Sequence, residues 1–175
     1  MPHSDLISVF HWWVLFLFFS VAFLPFTSVL FRPFFDRGYI FTKPVGLLVL
    51  SYLALLIGIF QIASFTFMSL SVLLIVLAVI NYATVYFLHS KYKQKKPITH
   101  SITTFISSHW KIIFIEEVLF LVGIFFLSYI RSFSPEIHGL EKYMDYGFMN
   151  SIARSDYFPP QDMWLTPFYI NYYYF

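Results

Sequence analysis

Apolar residues gather into four long runs, at 9–31, 45–62, 70–88 and 112–130, with short polar stretches between them. Each run reaches, or nearly reaches, the roughly 20 residues that carry a helix across the hydrocarbon core of a bilayer. Lipid offers an open backbone no hydrogen-bond partner, and the runs lack the alternation of a barrel strand. The pattern therefore predicts an all-α, polytopic membrane protein with about four transmembrane helices. The first run is too long for the apolar core of a signal peptide, and Met1 to Asp5 ahead of it carries no basic residue, so it is predicted to remain as a span. Pro25 lies inside it and should bend it, at a cost that neighbouring helices can offset.

The pattern changes twice. Ile98, Ile102, Phe105 and Ile106 recur at helical spacing among Thr, Ser and His, which predicts a short amphipathic helix on the membrane surface within the basic segment 89–111. Beyond residue 130 the continuous apolar character ends. Gly139 precedes a stripe of Met144, Phe148 and Ile152 that predicts a further helix, Pro159-Pro160 ends it, and an extended aromatic segment begins at Asp162-Met163-Trp164. The expected organisation is thus a four-helix transmembrane region, 1–130, followed by an external helical and extended aromatic segment, 131–175.

Composition excludes a water-soluble globule: 59% of the 175 residues are hydrophobic, 11% are charged, and the mean hydropathy is +0.72, whereas a soluble domain is about 25% charged. With no cysteine there is no disulfide, thiolate metal site or cysteine nucleophile. A net charge of +2 gives no reason to expect nucleic acid as a partner. The placement of charge says more. Arg32, Arg37 and Lys43 lie between the first two runs, and Lys91, Lys93, Lys95, Lys96 and Lys111 between the last two, leaving Arg131, Lys142 and Arg154 elsewhere. The positive-inside rule then puts both basic loops in the cytoplasm, and the N-terminus and residues 131–175 outside the cell membrane. Acidic residues outnumber basic ones in that last segment, and Trp12 and Trp13 near the outer end of the first run fit an interfacial belt. Topology and attraction to anionic headgroups account for the lysine cluster.

Candidate chemistry is sparse. Glu116 and Glu117 sit one turn into the fourth predicted span; they either serve a proton, cation or polar substrate, or are satisfied near the interface by Lys111 or a neighbouring helix. The six histidines show no H-x-x-x-H spacing, and no Walker loop, G-x-G-x-x-G or G-x-S-x-G is present. In the tail, Glu141 and Asp145 fall one turn apart on one helix face. Two carboxylates so placed can share a divalent cation, can divide the roles of general base and orienting group, or can simply be solvated charges. Arg131, Lys142 and Arg154 are the cations available to a phosphate.

Several strings, Asp36-Arg37-Gly38-Tyr39, Lys43-Pro44, Gly139 to Asp145, Asn150-Ser151-Ile152, Tyr157-Phe158-Pro159-Pro160, Asp162-Met163-Trp164 and Asn171 to Phe175, together resemble the Chlor_Arch_YYY family of uncharacterised membrane proteins, named for its triple tyrosine. The resemblance covers nearly the whole chain. Asp162-Met163-Trp164 departs from the family's usual Asp-Pro-Trp. Family members run on through many more spans, so the resemblance implies that this chain corresponds to their N-terminal part and is inactive alone.

In layout such proteins are similar to GT-C glycosyltransferases, which use sugars linked to a polyprenyl phosphate and carry acidic residues in the first large external loop. The likeness implies Asp145 as general base, Glu141 assisting it or holding a metal, and Asp162 as a second acidic ligand. It also implies Arg131, Lys142 and Arg154 on the lipid phosphate, with Trp164, Tyr172, Tyr173 and Tyr174 against the sugar. Partners would be the bilayer, the sugar donor, and further spans or a second membrane subunit. A non-catalytic scaffold or assembly subunit is the alternative. A transporter ranks last, because these spans show no internal repeat.

Overall fold

The computed structural model describes residues 3–91, 98–134, 136, 137 and 139–171. Five helices account for most of them: α1 (His3–Leu30), α2 (Thr42–Ile59), α3 (Phe67–Lys91), α4 (Ile98–Ser132) and α5 (Leu140–Arg154). Four of these contain stretches long and apolar enough to cross a membrane, Asp5–Leu30, Thr42–Ile59, Phe67–Leu88 and Thr104–Ser132. Among the described residues the only extended pairing is an isolated bridge between Gln161 and Tyr169. The protein is all-helical and multi-pass.

One expected boundary is absent. The amphipathic stretch and the fourth apolar run form a single helix of 35 residues rather than a surface helix followed by a span. Neither Pro nor Gly interrupts residues 98–122, so nothing removes a backbone hydrogen bond where the side-chain pattern changes. Phe105 on its first turns is buried with Leu24 and Tyr39. At a rise of about 1.5 Å per residue α4 is about 52 Å long, against roughly 30 Å of hydrocarbon. Glu116 and Glu117 consequently lie near its middle.

The chain divides into two compact units, Met1–Leu47 with Ile75–Ser134, and Leu48–Leu74 with Pro135–Phe175. In the first, Pro25 stands inside α1 and cannot donate to the carbonyl of Val21 four residues earlier. The hydroxyl of Tyr82 on α3 donates to that oxygen at 3.0 Å, and Asn81 Nδ2 donates to the carbonyl of Ala22 at 3.1 Å. Neighbouring side chains thus restore what the proline removes. The linker after α1 turns on Asp36, which is fully enclosed; its Oδ1 accepts from Gly38 N at 3.0 Å and its Oδ2 from Ile40 N at 2.9 Å. Gly38 has φ +80°, and a Cβ there would strike Phe31, so glycine is required. Pro44 sits in the first turn of α2, where its missing N–H is harmless.

The second unit is built on α5. The stripe foreseen for this helix is its covered side: Phe148 is buried and Met144 and Ile152 are half-buried. Residues 160–170 fold back on themselves through Asp162 N to Phe168 O (2.8 Å) and Ile170 N to Pro160 O (2.9 Å), with Trp164 set edge-on to Phe148. Phe158 closes against the end of α2, where a side chain at Gly58 would collide with its ring, and its amide donates to the Gly58 carbonyl.

Candidate functional site

Within the first unit, polar side chains from α1, the following linker, α2 and α4 converge on Glu117, which is 8% exposed. Trp13 Nε1 donates to its Oε2 at 3.1 Å, and the Tyr39 hydroxyl to its Oε1 at 2.6 Å. Lys43 Nζ forms a buried ion pair with the same Oε1. The ammonium also lies 5.2 Å from the Tyr39 ring centroid and 4.7 Å from that of Phe120, where the negative faces of the rings attract it. Beside the pair, Thr42 Oγ1 donates to Ser20 Oγ at 3.1 Å or to the Tyr39 carbonyl at 2.6 Å. Burial, reinforced by the hydrogen bond to Glu117, pushes the Tyr39 hydroxyl well above the ordinary tyrosine value, so it is a donor throughout the physiological range.

Of the two sources of partners foreseen for the α4 glutamates, neighbouring elements supply those of Glu117, whereas the ammonium of Lys111 lies over the ring of Trp110. Glu117 is thereby fully accounted for as a structural acceptor. Glu116 is not: both of its carboxyl oxygens are enclosed and neither has a hydrogen-bond partner among the described residues.

The tail candidates are arranged differently. Glu141, Lys142, Asp145 and Arg154 are exposed. Glu141 lies in the first turn of α5 and Arg154 in the last, placements that the helix dipole favours. Trp164 is two-thirds exposed. Asp162 has a structural task, its Oδ1 accepting from Trp164 N (2.8 Å) and Leu165 N (3.1 Å) and so holding the turn. No three acidic or histidine side chains gather into a metal-holding group among the described residues. Arg131, in the first unit, donates to the carbonyl of Ser134. Tyr172, Tyr173 and Tyr174 lie outside the described residues.

The sequence reading singled out Glu116 and Glu117 but not the residues that gather round them. A sign is present in the sequence, since a lysine opening one apolar run and a glutamate inside another invite pairing across helices; Lys43 enters the sequence reading only through topology and the family resemblance.

Fold and buried network together define a multi-pass helical membrane protein with an ion pair enclosed between its elements. The chain belongs to a family of uncharacterized membrane proteins (DUF2298), whose model matches residues 47–175. That span includes Glu116, Glu117 and all the tail candidates; Trp13, Tyr39 and Lys43 precede it. No curated protein and no solved structure matches the chain.

Proposed function

We propose that this chain contributes its spans and a membrane-proximal acidic helix to a glycosyltransferase of the GT-C type, acting on a sugar linked to a polyprenyl phosphate. The observation that carries the reading is the division of α5 into two sides: Met144, Phe148 and Ile152 are turned inward, while Glu141 and Asp145 are exposed one turn apart, shortly after the last apolar helix. Their Cβ atoms are then about 5–6 Å apart.

In this mechanism Asp145 takes the proton of an acceptor hydroxyl, whose oxygen attacks the anomeric carbon. The bond from that carbon to the phosphate oxygen breaks, and the lipid phosphate leaves with the electron pair. Glu141 orients Asp145, and Lys142 and Arg154 of the same unit are the cations available to the departing phosphate. Trp164 offers an exposed ring to the sugar, a task that Tyr172, Tyr173 and Tyr174 would share. Asp162 already serves two amides of its own turn, so no step is assigned to a metal.

In membranes containing the chain together with the further spans that this reading requires, and with a radiolabelled polyprenyl-phosphate sugar as donor, Asp145→Asn should lower transfer by about 10²- to 10⁴-fold without changing the amount of protein in the membrane. Undiminished transfer would remove Asp145 from the mechanism. A second reading, a non-catalytic assembly subunit, is favoured by the exposure of Trp164, Leu165, Phe168 and Tyr169 on one short segment. Crosslinking from that segment would then recover one dominant membrane partner, and transfer in the assembled system would be the same with Asp145→Asn as with the parent chain.

A further inference from the structure

Glu117 accepts three donors, whereas the adjacent Glu116 presents two enclosed oxygens to none. The charged groups that act on Glu116 are Asp36 of the linker, Lys43 of α2 and Glu117 of its own helix. Each of these is engaged elsewhere. Lys43 is paired with Glu117, and Asp36 holds the amides of Gly38 and Ile40. Arg37 stands over the ring of Phe105 at 5.6 Å, and Lys111 over Trp110. From α1, Trp13 donates to Glu117 and not to Glu116, and from α3, Asn81 and Tyr82 are bound to backbone carbonyls of α1.

Inside a membrane-spanning unit, the buried ammonium of Lys43 is thus paired with Glu117, and the enclosed oxygens of Glu116 have no donor of their own among the described residues. An ionised carboxylate with neither donor nor counter-charge does not persist in so apolar a setting, and one positive charge on Glu116 would remove the imbalance at that residue. A divalent ion would bring more positive charge than this one carboxylate offsets, and among the described residues no group of three acidic or histidine side chains is assembled to hold it.

We infer that the Glu116 carboxyl is the seat of one exchangeable monovalent cation, a proton or an alkali metal ion, held within the membrane beside the Lys43–Glu117 pair. Glu117, saturated with donors, fixes the position of the site, and Glu116 carries the exchange. This site is separate from the tail and does not depend on the glycosyltransferase reading.

The test uses the wild-type chain in lipid vesicles and dicyclohexylcarbodiimide, an apolar reagent that modifies carboxyl groups carrying a proton in apolar surroundings. Peptide mass spectrometry reads the adduct at each acidic residue. Glu116 should be modified while Glu141, exposed to water, is not, and modification should fall about tenfold per pH unit above the midpoint of the site. Protection by sodium or potassium chloride, absent with choline chloride, identifies the ion as an alkali metal. Dependence on pH without such protection identifies it as the proton. Infrared difference spectra between two pH values, or with and without sodium, provide a second readout that needs no reagent access; Glu116→Gln should abolish a carboxyl band. No adduct on Glu116 together with identical difference spectra for wild type and Glu116→Gln would overturn the inference.

Discussion

The Lys43–Glu117 pair places two opposite charges out of reach of water, with side chains 8% and 11% exposed. Such a pair contributes modest net stability, but removal of one partner leaves the other uncompensated. Lys43→Met is therefore expected to destabilise the protein by about 3–5 kcal/mol, measured by reversible unfolding in micelles. Adding Glu117→Met should recover most of that loss; if the two losses simply add, the pair is not coupled. Tyr39 contributes a dependence on pH. Its folded-state hydroxyl lies above the ordinary value because it is buried and donates to Glu117, so its contribution is complete below the unfolded tyrosine value of about 10. It declines as pH rises from there through the folded value, because only the unfolded state then releases the proton. In an alkaline titration followed by tyrosinate absorbance, Tyr39→Phe should leave one tyrosine fewer among those that resist ionisation at about pH 11. These partners escaped the sequence because Lys43 and Glu117 are far apart in the chain, and periodicity reports only which side of a helix a residue occupies, not which helix meets it.

At the scale of elements, what could be read from the sequence followed from constraints that act within one segment. Lipid demands a length and an internally bonded backbone, so the four membrane-crossing helices were evident, as was the covered stripe of α5. The boundary expected at residue 111 is absent because a change in side-chain polarity is not a break in the backbone, and no residue there breaks it. Nor could sequence foretell how Pro25 is accommodated, since the relief comes from another helix. Tyr82→Phe removes the donor to the Val21 carbonyl and should cost about 0.6 kcal/mol, the usual value for a side-chain hydrogen bond between membrane helices. In a Pro25→Ala background, the substituted residue supplies its own N–H to that carbonyl, so the same Tyr82 change should then cost close to nothing. A double-mutant cycle measures the difference; equal costs in both backgrounds would show that Tyr82 does not answer the proline.

For the whole molecule, the dominant surface is apolar. No residue in the most apolar stretch of α3 is buried, and only 6% of that in α4 is; Phe67, Met68, Leu119 and Leu127 are widely exposed. Such faces are stable only against lipid or other apolar helices. The direction in which the helices cross rests on a separate argument, the charge of the connecting segments. By the positive-inside rule Arg32, Arg37 and the lysines after α3 are expected to hold those segments in the cytoplasm, although burying Lys43 in the ion pair takes one cation out of that balance. The cysteine-free chain makes the direction measurable, because each introduced thiol stands alone. Arg32 and Ser134 are both exposed, and they follow α1 and α4 respectively. On intact cells a membrane-impermeant maleimide should label Ser134→Cys and leave Arg32→Cys unlabelled until the membrane is permeabilised. The opposite pattern would reverse the topology and put the acidic face of α5 on the cytoplasmic side. The proposed donor would then have to present its phosphate sugar from that side. Labelling of both positions in intact cells would mean that α1 and α4 do not end on opposite sides, which four successive crossings require.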